Sequence, residues 1–451
     1  MANAALREVV SELDRRILAD PGNTPERFER LTAIQRDAGL LHGERPICPF
    51  LRPLFLSRTE YRAVARAAEV VTSAMERLID CALDSGELLA ELDLTDRELA
   101  MARIDPGYRR AGLTTRLDTY LSDSGFGFLE YNGESPAGIG DQLQLECMLF
   151  DLPEVRDFLE SRTRLELNPR RKLLESLVSG YQEWGGRSDE PTIAILDWSG
   201  VPTQSEFHVL RDAFESHGYP ALIADPGELT YDGKTLRVGE RPVDIVYKRV
   251  IIHEFLTQTD ETHALTRAYS EGRIFMANSF RCKVAHKKAS FAVLSDPRFA
   301  GLFTDEQLHV AEAHVPWTRR VREGLVEYEN EPVPMRDLLL SERQDLVLKP
   351  NDDYGGHGVT VGHATDEETW KSVVDQAFAG SWVVQRRIPV RTESMPHFDA
   401  TGHVTTADLT VDFDPFVFDG TVEGGMVRLS GTALSNISAG GGETAVVVLE
   451  V

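Results

Sequence analysis

Cysteine is scarce in this chain. The four cysteines, Cys48, Cys81, Cys147 and Cys282, are widely scattered and form no CxxC pair and no Cys/His cluster. That excludes a zinc-organised or disulfide-stapled fold, and the four read as reduced thiols. Positive charge is also short: 48 Lys and Arg stand against 73 Asp and Glu, a net charge of −25. This balance argues against nucleic-acid and anionic-membrane partners, which require basic patches. No stretch approaches the ~18 consecutive apolar residues of a membrane span. The start, Met-Ala-Asn-Ala-Ala-Leu-Arg-Glu-Val-Val, reads as an amphipathic helix rather than a signal peptide, so a cytosolic protein is expected. No G-x-x-x-x-G-K-[ST] loop and no strand–GxGxxG–helix unit occurs, which sets aside the P-loop and dinucleotide folds. What remains is ordinary for a globular protein: 42% hydrophobic and 27% charged residues. At 451 residues the chain should hold two or three domains.

The richest stretch is Arg116–Asn132, RLDTYLSDSGFGFLEYN. It reads as two strands joined by a turn at Asp123-Ser124-Gly125. A hairpin symmetric about Ser124 puts Asp118 opposite Glu130 and Arg116 opposite Asn132. Side chains alternate along a strand, so all four then share a face. Two carboxylates and an amide oxygen make a hard, oxygen-rich site suited to Mg²⁺ carrying phosphates. The neighbouring guanidinium suits a phosphate or carboxylate oxygen. The same pattern also fits a plain solvated hairpin face.

A second segment, Val347–Val359, runs strand, lysine, then a glycine-rich loop: VLKPNDDYGGHGV. Glycines let backbone N–H groups wrap closely around phosphate, and Lys349 adds a point charge. Taken alone, the loop could equally be a generic glycine-rich hairpin. His357 within it is either a phosphate contact or an ordinary turn residue.

Together the two segments resemble the circularly permuted ATP-grasp family, best known from glutathionylspermidine synthetase. The matching residues are Arg116, Asp118, Glu130, Tyr131 and Asn132 of the hairpin, then the small-residue stretch Gly133–Gly138. Lys288 follows before Ala289, then Lys349-Pro350 with Gly355-Gly356-His357-Gly358, then the strand Trp382–Arg386 with its Gln385-Arg386 pair. The resemblance covers residues 45–451. It implies an α/β (α+β) fold: an ATP-grasp core, circularly permuted, with an inserted pre-ATP-grasp-like α/β domain and a helical N-terminal region. The expected division is 1–104 helical, 105–165 carrying the metal hairpin, 166–280 the α/β substrate domain, and 281–451 the nucleotide-binding subdomains.

The chain's own patterning runs alongside. Tyr61–Leu83 carries an apolar helical stripe, and Thr95 with Glu98 makes a capping box. Gly140–Leu149 reads as a helix. Between 190 and 280, four short apolar strands (192–197, 219–225, 244–249, 274–278) alternate with helices, which implies a mostly parallel sheet. Leu229–Val238 reads as a small hairpin within it. Ala285–Leu294 and Thr365–Ala379 read as helices, and Asp408–Phe418 and Gly425–Leu429 as paired strands.

The resemblance implies an ATP-dependent ligase that phosphorylates a carboxylate and lets an amine attack the acyl phosphate, with ATP and Mg²⁺ as cofactors. Its substrates would be a small-molecule carboxylate, such as an amino acid or peptide, and an amine. Asp118, Glu130 and Asn132 would hold the metal. Lys288 and Lys349 would hold phosphates, with Lys287 the alternative to Lys288. Tyr354, Gly355, Gly356, His357 and Gly358 would close over the nucleotide, and Gln385 and the Ile388 backbone would face adenine. Arg116 would be catalytic, steadying the transferring phosphoryl group or the incoming carboxylate. Ser135, Arg249, Arg428 and Asn436 would face substrate, though Arg249 fits a structural salt bridge equally well. Asp352 or Asp353 would cap the loop or pair with Arg386. A nucleotide-binding protein without turnover and a phosphotransferase remain open.

Overall fold

The computed structural model describes residues 4–399, 401–432 and 441–450. Its centre is a six-stranded sheet. The hairpin strands Thr114–Leu121 and Phe126–Asn132 form one side of it, and Val404–Phe418, Thr421–Ser430 and Gly442–Thr444 extend the other; Thr392–Phe398 also pairs with Val404–Phe418. Residues 300 positions apart therefore share one hydrogen-bonded surface.

The helix Arg58–Ala82 packs on this sheet. Its start is fixed by a capping box, with the Ser57 hydroxyl accepting from Glu60 N–H and the Glu60 carboxylate accepting from Ser57 N–H. Its apolar stripe, including Val64, Ala68, Val71, Met75, Leu78 and Ile79, is buried. The capping box at Thr95 and Glu98 is present and opens the helix Asp96–Ala102. The helical beginning of the chain also contributes a strand, Leu54–Ser57, which pairs in parallel with Val446–Leu449.

The second sheet is wholly parallel, in the order Phe275–Ala277, Ile245–Lys248, Ile193–Leu196, Ala221–Ala224. Its strands are buried on both faces, which is why they read as continuous apolar runs. Their carboxyl ends deliver Asp197, Arg249 and Asn278, and ligand crevices of open α/β sheets lie at such ends. The small hairpin of 229–238 is formed by Leu229–Tyr231 and Leu236–Val238.

A third sheet is antiparallel: Thr318–Arg320, Trp382–Arg386, Leu346–Pro350 and Thr360–Val361. The glycine loop spans the turn between its last two strands. The expected helix Ala285–Leu294 is instead two short helices, Lys283–His286 and Ala289–Leu294. The break has a cause. Asn351, at the end of the lysine strand, accepts from Lys288 N–H through its carbonyl (2.9 Å) and from Ala289 N–H through its side chain (2.8 Å). This clamp takes the backbone donors at the start of the second helix and brings Lys288 beside the loop. Among the described residues no helix is long and apolar enough to cross a membrane.

Candidate active site

The hairpin register is the one that the sequence implies where it matters: Arg116 lies opposite Asn132 and Asp118 opposite Glu130. Beyond Asp118 the symmetry fails, because a bulge shifts the pairing so that Thr119 faces Phe128. The extra residue is Leu129. A bulge turns a backbone group out of the ladder, and here the Leu129 carbonyl accepts from Lys349 Nζ at 3.1 Å. One irregularity thus ties the hairpin to the nucleotide-loop lysine, 220 residues away.

These elements enclose a cavity of about 820 Å³. Arg116, Asp118, Glu130, Asn132, Ser135, Arg249, Lys288, Lys349, Tyr354, Gly355, Gly356, His357, Gln385, Ile388 and Arg428 all line it. Gly358 does not; its φ of +70° and its approach to Pro350, where an added Cβ would lie 2.6 Å from Cγ, make it a position that glycine alone fits. Asn436 lies outside the described residues.

At the loop end, Lys349 is buried and donates to Gln385 Oε1 at 2.8 Å, while Gln385 Nε2 donates to Thr318 Oγ1 at 3.0 Å. The Gln385 amide is therefore engaged on both sides. Burial, with the Lys288 charge adding to it against Glu130, lowers the Lys349 ammonium to about 8. Lys288 Nζ lies 3.4 Å from Glu130 Oε2 and donates to the Asp353 carbonyl at 2.5 Å. Lys287 is occupied elsewhere, by Asp352 at 2.6 Å and Glu98 at 2.9 Å. Asp352 does not meet Arg386; it sits between Lys283 and Lys287, 2.6 Å from each, while Arg386 reaches Glu329 at 3.3 Å. Its negative charge is thus withdrawn from the loop. Asp353 caps the loop as expected, its Oδ1 accepting from Tyr354 N–H at 2.8 Å. Tyr354 donates its hydroxyl to Glu254 Oε1 at 2.7 Å, so the loop tip reaches the parallel-sheet side of the cleft. His357 is exposed, with Nδ1 3.8 Å from Asp353 Oδ1.

In the middle, Asp118 is heavily engaged. Its Oδ1 accepts from Arg116 Nε at 3.1 Å and Nη2 at 3.0 Å, and from Asn132 Nδ2 at 2.6 Å; its Oδ2 accepts from Arg428 Nη2 at 2.6 Å. Although burial opposes it, the charges of Arg116 and Arg428 hold this carboxyl well below the usual carboxylate range. Arg428 also meets Asp412 at 2.6 Å and Asp414 at 2.8 Å. Asp118, Asp412 and Asp414 bring oxygens within 4.8 Å of one another, and the Arg428 guanidinium lies among them where a cation would otherwise sit. On the other side of Asp118, Glu130 and Asn132 face the cavity, and among the described residues Glu130 forms one salt bridge, to Lys288. That oxygen-bearing side fits a hard divalent cation; the Arg428 side does not.

At the far end, Arg116 Nη1 donates to the Ala137 carbonyl at 3.0 Å, and Arg249 Nη1 donates to the Pro136 carbonyl. Arg249 Nη2 lies 3.3 Å from Glu206 Oε2, so the salt-bridge alternative for Arg249 is the one the structure contains. These two arginines hold the Ser135–Gly138 turn from either side. Sequence reasoning missed the residues around it: Asp141, Glu206, Glu443, Asp197 and His286 all line the same cavity. One signal was readable, since Asp412 and Asp414 recur at the two-residue spacing of a strand face. Asp197 likewise ends an apolar strand, as Arg249 does.

No family model matches the chain. It is 26% identical over 270 residues to a provisionally assigned glutamate–cysteine ligase 2-3 of Frankia alni, a match spanning 56% of this chain and 29% of that protein. A glutathione synthetase-like effector of Globodera pallida, GSS30, superposes with a TM-score of 0.61 at 14% identity, over 96% of this chain and 99% of that one. The chain thus has the mixed α/β fold of the ATP-grasp-type synthetases.

Proposed function

We propose that the chain is a Mg·ATP-dependent carboxylate–amine ligase with a circularly permuted ATP-grasp core, forming an amide and releasing ADP and phosphate. The observation that carries this reading is the convergence of two lysines, a glycine loop and an acid–amide face on one cavity, from segments more than 200 residues apart. Likeness to ligases and to a glutathione synthetase-like fold supports it.

In this reading Lys288 and Lys349 neutralise the nucleotide's phosphates, and the loop 354–358 covers them and excludes water. Asp118, Glu130 and Asn132 would hold the metal, which supplies charge neutralisation to phosphate oxygens. Arg116 positions Asp118, and its one uncommitted Nη2 N–H would face the reacting carboxylate. The substrate carboxylate oxygen takes the γ-phosphoryl group and ADP leaves. The amine nitrogen then bonds the acyl carbon, the C–O bond to phosphate breaks, and phosphate departs with the bonding pair while the amine loses a proton. The protein's work is chiefly positioning and charge stabilisation.

The test is calorimetric binding of Mg·ATP to the wild type and to Glu130→Gln, followed by an assay of ADP and free phosphate with carboxylate and amine pools. Binding that weakens in the variant, with amide and free phosphate formed by the wild type, is expected. A folded wild type that neither binds nucleotide nor forms amide in the presence of substrates overturns the reading. The engagement of Asp118 by Arg116 and Arg428 favours one second reading, a nucleotide-binding protein without turnover. It is distinguished by binding without ADP release.

A further inference from the structure

We propose that Asn278 is a positioning residue for the metal-facing side of the hairpin: its buried side-chain amide closes the hairpin's open end and so sets where Asn132 and Arg116 stand in the cleft. The proposal deepens the ligase reading and takes from it the metal role of Asp118, Glu130 and Asn132.

The strand Phe126–Asn132, which carries Glu130 and Asn132, is the outermost of its sheet and has Thr114–Leu121 as its one neighbour there. At the turn end the pair is tied by Ser122 N–H, which donates to the Gly125 carbonyl at 2.8 Å. At the open end the ladder stops with Arg116 opposite Asn132. A side chain from elsewhere supplies the next rung. Asn278 Oδ1 accepts from Thr114 N–H at 2.9 Å. Asn278 Nδ2 donates to the Thr114 and Gly133 carbonyls, each at 2.7 Å, with the Glu134 carbonyl at 3.2 Å. Toward Thr114 the amide both gives and takes a hydrogen bond, as a peptide group on a paired strand does. Asn278 and Thr114 are 0% and 1% exposed, so water cannot stand in for the lost partners.

The amide comes from the parallel sheet. Asn278 directly follows Phe275–Ala277, the edge strand of that sheet, and lies 145 residues beyond Gly133. The carboxyl ends that bring Asp197 and Arg249 to the cleft therefore also fix the hairpin. Asn132 is one residue from Gly133, and Arg116 is two from Thr114. Both bond Asp118 Oδ1, Asn132 at 2.6 Å and Arg116 at 3.0 Å, so a shift at the open end reaches the whole oxygen set. Lys288 and Lys349 are carried by the split helices and the third sheet, to which the Asn278 amide makes no hydrogen bond.

The experiment is titration calorimetry on the full chain with AMP-PNP, a non-hydrolysable ATP analogue, in Mn²⁺ and again in EDTA. Wild type, Asn278→Ala, Asn132→Ala, the double variant and Tyr108→Phe are compared, with unfolding midpoints confirming the fold. Tyr108→Phe is the structural control: it deletes a buried hydroxyl that donates at 2.6 Å to the Met276 carbonyl on the same edge strand. Asn278→Ala should weaken Mn²⁺-loaded binding by about tenfold or more, as loss of a group that orients metal ligands does. Metal-free binding should change about threefold or less, and Tyr108→Phe should leave both nearly unmoved. In the Asn132→Ala background the Asn278 effect should shrink to about threefold or less, because the two act through one rung. Where the alanine variant does not fold, Asn278→Ser, which keeps one hydroxyl toward Thr114, is read by the same criteria. Equal losses with and without metal overturn the proposal, as does a matching loss in Tyr108→Phe or an undiminished effect beside Asn132→Ala. Metal-dependent binding in the wild type that Asn278→Ala preserves sinks the positioning role alone. A wild type that binds no nucleotide sinks the ligase reading, and Mn²⁺ titrated by itself then decides: binding weakened about tenfold by Asn278→Ala upholds the positioning role, and no binding ends it.

Discussion

Two clusters of enclosed charge border the same cavity, and they are built to opposite balances. One joins Lys283 and Lys287 to Glu98, Glu134 and Asp352. Lys283 lies 2.6 Å from both Glu134 and Asp352, and Lys287 lies 2.6 Å from Asp352 and 2.9 Å from Glu98. Against the cost of burial, Lys283 draws Glu134 down to about 2 and holds Asp352 lower still. In the other cluster, Asp141, Glu206 and Glu443, Arg249 pairs with Glu206, and there Asp141 rises to about 8 and Glu443 well above its ordinary value. The two contain the same kind of acid. What differs is whether a cation was supplied by the chain. The first cluster is complete and acts as scaffold, pinning Asp352, just past the Lys349 strand, to the split helices and, through Glu134 accepting from Ile252 N–H at 2.8 Å, to the parallel-sheet side. The second is incomplete, with Glu443 Oε2 buried and without a hydrogen-bond partner among the described residues.

The sharpest way to break the comparison is to remove the shared cation of the complete cluster. Lys283→Met leaves Glu134 and Asp352 without their principal partner, and breaking a buried pair from one side costs about 3–5 kcal/mol. The expected outcome is a large fall in denaturation midpoint by urea titration. An unchanged midpoint would show that the network contributes nothing net. The matching change in the second cluster, Glu443→Gln, should leave the midpoint nearly unmoved, since it keeps the side chain's size and Glu443 Oε2 has no hydrogen-bond partner among the described residues to lose.

Acidity sharpens the contrast because the two clusters give opposite slopes. Glu134 falls from 4.5 to about 2 on folding. The unfolded chain therefore takes up its proton first, and the stability is complete above pH 4.5 and lost as the pH drops toward 2. Asp141 rises from 3.8 to about 8. Across that window the folded chain keeps a proton that the unfolded chain has released, so stability declines as pH rises toward 8 and then levels. Unfolding midpoints of wild type and Asp141→Asn between about pH 2 and 9 check this. The variant should lose much of the alkaline decline and keep the acid limb; parallel curves would refute it.

Much of this arrangement was legible before the structure. The facing of Asp118 with Glu130 follows from alternation and a turn, the parallel sheet from apolar runs alternating with helices, and the Thr95 cap from a local pattern. Local signals carry such features because their causes are local. The clusters were not legible for the converse reason. Glu443 lies opposite Arg428 on strands that adjoin only when the sheet forms, and Asp352 meets Lys283 across 69 residues. Nothing in the segment around Asp352 says that its charge is spent on a helix rather than on Arg386. The split at Lys288 is likewise imposed by Asn351 from outside, against a helical pattern that is locally sound.

Lys349 stands between the two clusters in kind: it is a buried cation whose hydrogen-bond partners are neutral, the Leu129 carbonyl and Gln385 Oε1. Its ammonium titrates at about 8, down from 10.5. A phosphate arriving beside it favours the protonated form. Nucleotide binding should accordingly take up protons near pH 8, and affinity should fall by roughly tenfold between pH 7 and 9 as the charge is lost. Calorimetry in buffers of different ionisation enthalpy measures the uptake, and Lys349→Arg, which keeps its charge throughout, should abolish both effects. A pH-independent affinity in the wild type would mean that Lys349 does not meet the phosphates.

The smallest effect concerns the link between the loop and the opposite wall. Tyr354→Phe removes the hydroxyl that donates to Glu254, a partly exposed hydrogen bond worth about 1 kcal/mol or less. Nucleotide affinity should drop only a few-fold, because the glycine backbone and both lysines are untouched. Backbone hydrogen exchange should rise at 353–358 and stay unchanged in the two charge clusters. Increased exchange at Lys283–Lys287 as well would mean that the loop tip helps hold the scaffold cluster, and that completeness in one cluster depends on closure over the other.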